Sequence, residues 1–232
     1  MPKILIVTTS HDRLGDTGQP TGLWLEELAT PYYVLADAGA ELTLASIKGG
    51  AIPIDPKSRE PEGGVPASVE RFLADAKAVA AARKTPAIVE LHAADYDAIF
   101  LPGGHGTMWD LPGSGALTRA VGAAMESGRI VAAVCHGPAG LVSAKTDGGH
   151  PVVEGRRVSS FTDSEERAVG LADVVPFLLE TRLRALGARI EKAPDFQPFA
   201  VRDGNLITGQ NPASSEKVAE LVLEALKEKG VA

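Results

Sequence analysis

The sequence has a single cysteine, Cys135, among its 232 residues, so no disulfide can form within the chain. Histidine is also scarce: there are five, and no two have the H-x-x-x-H spacing of a zinc site. Without cross-links, the folded state depends on an apolar core. A chain of this length with 44% hydrophobic residues can bury enough surface to form one.

Long apolar runs are absent as well. No stretch of about 18 uncharged apolar residues occurs, so we expect no membrane-spanning helix and no membrane partner. The N-terminal run Ile4–Val7 is too short for a signal peptide, and we expect a cytoplasmic protein. The 23 Lys and Arg residues form no cluster and are outnumbered by 30 Asp and Glu, giving a net charge of −7. A nucleic-acid partner is therefore not expected, because that binding depends on neutralising phosphates.

What the sequence does contain is an alternation of strand and helix patterns, which predicts an α/β fold with a doubly wound, mostly parallel sheet sandwiched by helices. The predicted strands are Lys3–Thr9, Glu41–Ser46, Tyr96–Leu101, Ile130–Val134 and Arg189–Lys192, then a hairpin of Phe199–Arg202 and Leu206–Thr208 with a type I′ turn at Asp203-Gly204. The predicted helices run from Thr21 or Gly22 to about Ala38, over 67–82, near Ala116–Met125, over Pro176–Leu186 and onward from Asn211-Pro212. We expect a single domain over 1–232, with residues 47–95 as a cap-like insertion.

The segment around Cys135 is the strongest candidate for chemistry. The buried strand Ile130–Val134 ends at this cysteine, and small residues follow it, as in a nucleophile elbow with Cys in place of Ser. A position at a helix N-terminus favours the thiolate. An inert buried cysteine is the common alternative. The adjoining His136 and the flanking glycines favour a reactive thiol.

A second candidate is the loop Gly103-Gly104-His105, which follows the predicted strand Tyr96–Leu101. Paired glycines let backbone N–H groups approach a ligand oxygen, as an oxyanion site requires. A plain tight turn is the alternative. The loop lies one strand-helix unit before Cys135, so we expect the two segments to be neighbours.

Carboxylates supply the remaining candidates. Glu26 and Glu27 are adjacent on the first predicted helix, where both can face solvent or one can point inward, with a raised pKa, and shuttle protons. The acidic run that contains Asp163 and Glu166 is typical of a capped helix start. The loop glycines lack the G-x-G-x-x-G spacing of a dinucleotide site, and we expect no cofactor and no metal.

These motifs together resemble the ThiJ/PfpI superfamily, relatives of the class I glutamine amidotransferases, and within it the heat-shock chaperone and glyoxalase III branch. The resemblance covers about residues 3–227 and implies a flavodoxin-like fold. It rests on the segments Ala133–Pro138, Thr21–Glu27, Pro102–Thr107, Phe161–Asp163 and Thr208–Ser214.

The resemblance also implies roles for individual residues. Cys135 is then the nucleophile and His136 its histidine, while Glu27 touches the thiol. The acidic partner of the histidine falls best on Glu166, with Asp163 as the alternative. An oxyanion site at the loop 103–105 would use the backbone N–H groups of Gly104 and His136. Zinc ligands of longer bacterial members lie in additional N-terminal sequence, and no metal is carried over.

The implied function is a glutathione-independent glyoxalase that acts on a small reactive aldehyde, converting methylglyoxal to lactate through a hemithioacetal on Cys135. A Cys-dependent amidase or peptidase and a stress chaperone that holds unfolded chains are the alternatives. Oxidation of Cys135 to a sulfinate is a further possibility. The resemblance implies a homodimer.

Overall fold

The computed structural model describes residues 1–61 and 63–231. The strands are β1 Lys3–Thr8, β2 Glu41–Ser46, β3 Ala98–Leu101, β4 Ile130–Val134, β5 Arg157–Val158, β6 Arg189–Ile190, β7 Ala200–Asp203 and β8 Leu206–Gly209. The helices are α1 Leu25–Asp37, α2 Ala67–Ala74, α3 Ala76–Arg83, α4 Thr107–Asp110, α5 Gly115–Glu126, α6 Asp163–Ala168, α7 Leu179–Ala185 and α8 Ser215–Glu228. No helix of the described residues is long and apolar enough to cross a membrane.

Six strands form the central sheet in the order β2-β1-β3-β4-β8-β7. All neighbours are parallel except the edge pair β7 and β8. The chain reverses its winding direction between β1 and β3, and in such sheets ligands bind beyond the carboxyl ends of the strands at that point. The mostly parallel sheet flanked by helices is confirmed.

Both faces of the sheet are covered, which explains why its strands are apolar without alternation. Ile4 and Ile6 face one side, where the apolar residues of α1 and α8 pack. Leu5 and Val7 face the other side, against α5 and α7. Each of these four side chains is fully buried, and each such burial contributes about 1.5–3 kcal/mol.

The first two helical predictions differ from the structure at their boundaries. Helix α1 begins at Leu25 rather than 21 or 22, because Leu23 bridges to Ile54 in the manner of a short parallel strand. The helix predicted over 67–82 is two helices, α2 and α3. Asp75 separates them with extended backbone, and its carboxylate accepts the N–H groups of Lys77 and Ala78 to cap α3.

The C-terminal third shows further differences. The strand predicted over 189–192 is only the short β6, which pairs with β5 outside the central sheet. The hairpin turn has Gly204 and Asn205 at its centre, since Asp203 pairs with Leu206. Positive φ at Gly204 alone excludes the predicted type I′ turn, which needs it at both central residues. Helix α7 begins at Leu179 rather than at 176.

The region 47–95 contains α2 and α3, and its residues Asp55–Lys57 line a cavity of about 390 Å³. Leu14, Pro20 and Leu171 line the same cavity. Its role as a cap and the single-domain organisation stay predictions.

Candidate active site

Cys135 lies on a tight turn directly after β4. Its φ of 59° is left-handed, a conformation that only one other non-glycine residue of the described chain adopts. Its N–H donates to the Gly209 carbonyl at 3.0 Å, and its carbonyl accepts from the Phe161 N–H at 2.8 Å. A Cβ on Gly137 would collide with the Leu101 carbonyl oxygen, so the following turn requires glycine. The elbow predicted from the sequence is confirmed as a backbone geometry.

A chain of hydrogen bonds runs from the thiol to a buried carboxylate. Cys135 Sγ lies 3.2 Å from His136 Nδ1, and His136 Nε2 lies 2.7 Å from Glu166 Oε2. The other carboxylate oxygen of Glu166 accepts from His105 Nε2 at 2.8 Å. Asp163, the alternative acidic partner, instead accepts hydrogen bonds from Thr181 on α7. The structure therefore places Glu166, and not Asp163, beside His136.

The charges of this cluster follow from its burial and its hydrogen bonds. Burial alone raises the pKa of Glu166, but the hydrogen bonds from His105 and His136 outweigh it and hold that pKa below its usual range. Burial, together with the neighbouring His105, lowers the pKa of His136. His136 is thus neutral at pH 7 and donates its Nε2–H to an ionised Glu166. Its Nδ1 lone pair then faces the thiol.

Glu27 is the inward-facing member of the glutamate pair. It is fully buried on α1, and its Oε2 accepts the Gly103 N–H at 2.7 Å. Its Oε1 has no hydrogen-bond partner among the described residues. Burial raises the pKa of Glu27 to about 8, although the nearby Cys135 thiol and the Gly103 N–H oppose that rise. Glu26 lines a separate surface groove.

The thiol and Glu27 form a coupled pair. Burial raises the pKa of Cys135, and the negative charge of Glu27 raises it further. Because both pKa values are raised, the thiol and the Glu27 carboxyl are both protonated at neutral pH. This differs from the thiolate expected at a helix N-terminus, because only the short 3-10 helix Gly137–Leu141 follows the cysteine.

The three residues of the loop 103–105 have different roles in the structure. Gly103 is not free to donate to a substrate oxygen, because its N–H is already bonded to Glu27, and its predicted oxyanion role is corrected to one of orienting that carboxyl. The N–H groups of Gly104 and His136 have no acceptor among the described residues, and both residues line the same cavity. His105 contributes its ring to that cavity, 4.1 Å from the His136 ring.

The cavity above Cys135 has a volume of about 170 Å³. It adjoins the larger cavity of about 390 Å³, with which it shares Trp24, His105 and Val169. The sequence analysis singled out neither Val169 nor Phe196, which also line the cavity above Cys135. One signal for Phe196 was available, since it is a lone aromatic residue in the proline-flanked segment Pro194–Pro198.

The ligand atoms of His105, His136 and Glu166 lie within 4.8 Å of one another, a spacing that a metal ion could use. Both carboxylate oxygens already accept hydrogen bonds from ring N–H groups. The polar atoms of the cluster therefore satisfy one another without an ion, and the absence of a metal stays a prediction.

The chain is similar to known proteins over nearly its whole length. The pattern of the DJ-1/PfpI family matches residues 22–225. The glutathione-independent glyoxalase HSP31 of Saccharomyces cerevisiae is 31% identical, over 97% of this chain and 98% of that protein. The crystal structure of glyoxalase III from Candida albicans has a TM-score of 0.89 at 29% identity, covering 97% of each chain. The structure of the Francisella tularensis Rapid Encystment Protein (REP24) has a TM-score of 0.93 at 38% identity, covering 97% of this chain and 99% of that one. The chain belongs to the DJ-1/PfpI family.

Proposed function

We propose that this protein is a glutathione-independent glyoxalase that converts methylglyoxal and water to lactate. The observation that carries the proposal is the Cys135 thiol, placed between the neutral His136 and the protonated Glu27 in a small cavity of about 170 Å³. The relatives named glyoxalase support the same reaction.

The reaction begins with addition of the thiol to the aldehyde carbon. His136 Nδ1 accepts the thiol proton as the C–S bond forms, and Glu166 stabilises the resulting imidazolium. The N–H groups of Gly104 and His136 donate to the developing oxyanion. The imidazolium then returns its proton to this oxygen, which gives a neutral hemithioacetal.

Glu27 moves a proton between the two carbons of the hemithioacetal. Its Oε2 is fixed by Gly103, and Oε1 is the oxygen available to the substrate. The ionised form of Glu27, which is populated as the pH approaches 8, takes the proton from C1 while the hydroxyl proton on C1 moves to the oxygen on C2, which gives an enediolate. Glu27 then returns its proton to C2, which leaves a thioester of lactate. A base with a pKa of about 8 both accepts and releases a proton near neutral pH.

Hydrolysis of the thioester completes the cycle. His136 removes a proton from the attacking water and transfers it to the departing sulfur, which restores the thiol. Oxygen and hydrogen balance, because the single water consumed appears in the carboxyl group of lactate.

The volume of the cavity favours this small substrate over the substrates of a peptidase. Cavities that bind drug-sized ligands are about 300–1,000 Å³, whereas the space above Cys135 is about 170 Å³. An extended peptide would need a groove past the thiol, and Trp24 and Phe196 line the cavity where such a groove would run. A homodimer is part of this proposal and rests on the family resemblance, whereas the cytoplasmic location rests on the sequence alone.

The test uses the reduced protein with methylglyoxal and no added thiol, with lactate followed by NMR. We expect lactate from the wild type and from Glu26→Gln, the matched control, and none above background from Cys135→Ala or Glu27→Gln. Activity that survives in Glu27→Gln would remove its role as proton shuttle. A wild type with a fully reduced thiol and no lactate would overturn the proposed function.

A further inference from the structure

Glu165, the neighbour of Glu166 on α6, is a fully buried carboxylate with an unusual set of partners. Its Oε2 accepts from the Thr162 N–H at 2.9 Å and from Thr162 Oγ1 at 3.0 Å, which is an ordinary capping box. Its Oε1 accepts three more hydrogen bonds, from the Phe196 N–H at 2.7 Å, Asn211 Nδ2 at 2.9 Å and Gln210 Nε2 at 3.0 Å. Helix capping explains only the first two of these five.

The three additional donors all connect Glu165 to one segment, residues 193–197. Gln210 Oε1 accepts the Ala193 N–H at 2.9 Å, at the start of the segment. Asn211 Nδ2 also donates to the Gln197 carbonyl at 2.8 Å, at its end. Glu165 thus orients both amide side chains and binds the middle of the segment directly.

Phe196 occupies the centre of this segment in a conformation that it would not hold by itself. Its φ of 62° is left-handed, which is strained for a bulky residue, and 48% of its surface is exposed. Its ring lies 6.4 Å from that of Phe161, centroid to centroid, and lines the cavity above Cys135. Its hydrogen bond to Glu165 is therefore a main restraint on where this wall of the cavity lies.

We propose that Glu165 is a positioning residue, which holds the segment 193–197 so that Phe196 closes the Cys135 cavity around a small aldehyde. The part concerning catalysis rests on the proposed glyoxalase function. Glu165 does not touch Cys135 or its substrate, and it acts through Phe196.

Glu165→Gln tests this with little change in shape. The neutral amide oxygen accepts hydrogen bonds more weakly than a carboxylate, so the bond to the Phe196 N–H is weakened even where the amide oxygen faces it. The amide nitrogen must face N–H donors on the other side, where a further hydrogen bond is lost. We expect KM for methylglyoxal to rise about tenfold while kcat changes less than about threefold, because the reacting groups stay in place. Glu180→Gln is the matched control: it alters a buried glutamate that accepts hydrogen bonds from the Asp163 N–H, Arg184 and Lys192 without lining the cavity.

Alkylation of Cys135 is a measurement independent of catalysis, and it separates access to the cavity from the reactivity of the thiol. The rates at which iodoacetamide and the larger N-ethylmaleimide alkylate Cys135 are compared, because their ratio cancels changes in the thiol pKa. We expect the ratio to shift about tenfold toward the larger reagent in Glu165→Gln and in Phe196→Ala, and to stay constant in Glu180→Gln. The double variant should match Phe196→Ala alone, since both changes act on one wall.

Additive effects in the double variant, or an unchanged ratio in a folded Glu165→Gln, would overturn the proposal. If Glu165→Gln does not fold, Asn211→Ala takes its place, because it removes the bonds to both Glu165 and Gln197. If the wild type makes no lactate while the ratio shifts as expected, the proposed function fails and the positioning of Phe196 stands.

Discussion

The backbone N–H of Gly103 donates to Oε2 of Glu27 at 2.7 Å, across 76 residues of sequence. This bond connects the loop after β3 to a buried carboxyl on α1, beside the thiol. A Cβ at Gly103 would lie 2.6 Å from Glu27 Oε2 and 2.6 Å from the His136 nitrogen. The loop glycine is therefore required by the approach of the carboxyl, and not by a turn alone.

The first prediction concerns stability as a function of pH. Burial raises the pKa of Glu27 from 4.5 to about 8, so between these values the folded protein binds a proton that the unfolded chain has released. The contribution of Glu27 to the free energy of unfolding is therefore fully present below pH 4.5. It falls as the pH rises toward 8, by at most about 1.4 kcal/mol per pH unit. Urea denaturation at a series of pH values should show this slope in the wild type but not in Glu27→Gln. Parallel curves for the two proteins would contradict the prediction.

The second prediction separates the two acidic candidates near His136. Glu166→Gln removes the negative charge that stabilises protonated His136, and we expect kcat for methylglyoxal to fall about 100-fold or more. Asp163→Asn should stay within about twofold of the wild type, because that carboxylate binds Thr181 instead. Steady-state kinetics on both variants measures the difference. Equal losses of kcat in the two variants would show that catalysis does not depend on Glu166 as the particular partner of His136.

The third prediction concerns the strain at Cys135. Glycine tolerates the left-handed φ of 59° at this position, whereas alanine does not. Cys135→Gly should therefore be more stable than Cys135→Ala by about 1 kcal/mol, although both lack the thiol. The same Ala-to-Gly comparison at Ala133 in β4 should have the opposite sign, because a buried strand favours alanine. Thermal or urea unfolding of the three variants and the wild type measures both differences in stability.

The fourth prediction concerns packing at the elbow. Gly137→Ala would push a methyl group into the Leu101 carbonyl, so we expect a loss of about 2–4 kcal/mol. Gly113→Ala is the control, because its added Cβ would meet only the Asp110 carbonyl at 3.9 Å, and it should change stability by less than about 0.5 kcal/mol. If Gly137→Ala is as stable as the wild type, the elbow can move away from β3 to accommodate the methyl group.

The sequence predicted the central strands well because their burial on both faces leaves a continuous apolar pattern, as in Ile130–Val134. It also predicted the proximity of Cys135 and the loop at 103–105, since parallel strands end at one edge of a sheet. The predicted helix over 67–82 was wrong because a local capping interaction interrupts it. Asp75 breaks a helical pattern by capping, and periodicity does not report on capping within a helix.

The site residues were harder to rank because their roles depend on direction and on distant partners. Glu26 and Glu27 are adjacent and identical in type, and only the position of α1 decides which one is buried. The choice between Glu166 and Asp163 came from resemblance, and the contacts of α6 now favour Glu166. The link from Glu165 to the segment 193–197 left no local signal, because the three partners of its Oε1 lie 31–46 residues away.

The backbone anchors of Cys135 have a consequence for synthesis. Its carbonyl is bonded to residue 161 and its N–H to residue 209, near the end of the chain. Such non-local contacts form late, and a ribosome adds about 5–20 residues per second. The thiol therefore emerges several seconds before Gly209 exists to hold it. During that interval the cysteine is an ordinary accessible thiol, so a nascent chain in a cell rich in reactive aldehydes is open to unproductive adducts at this position.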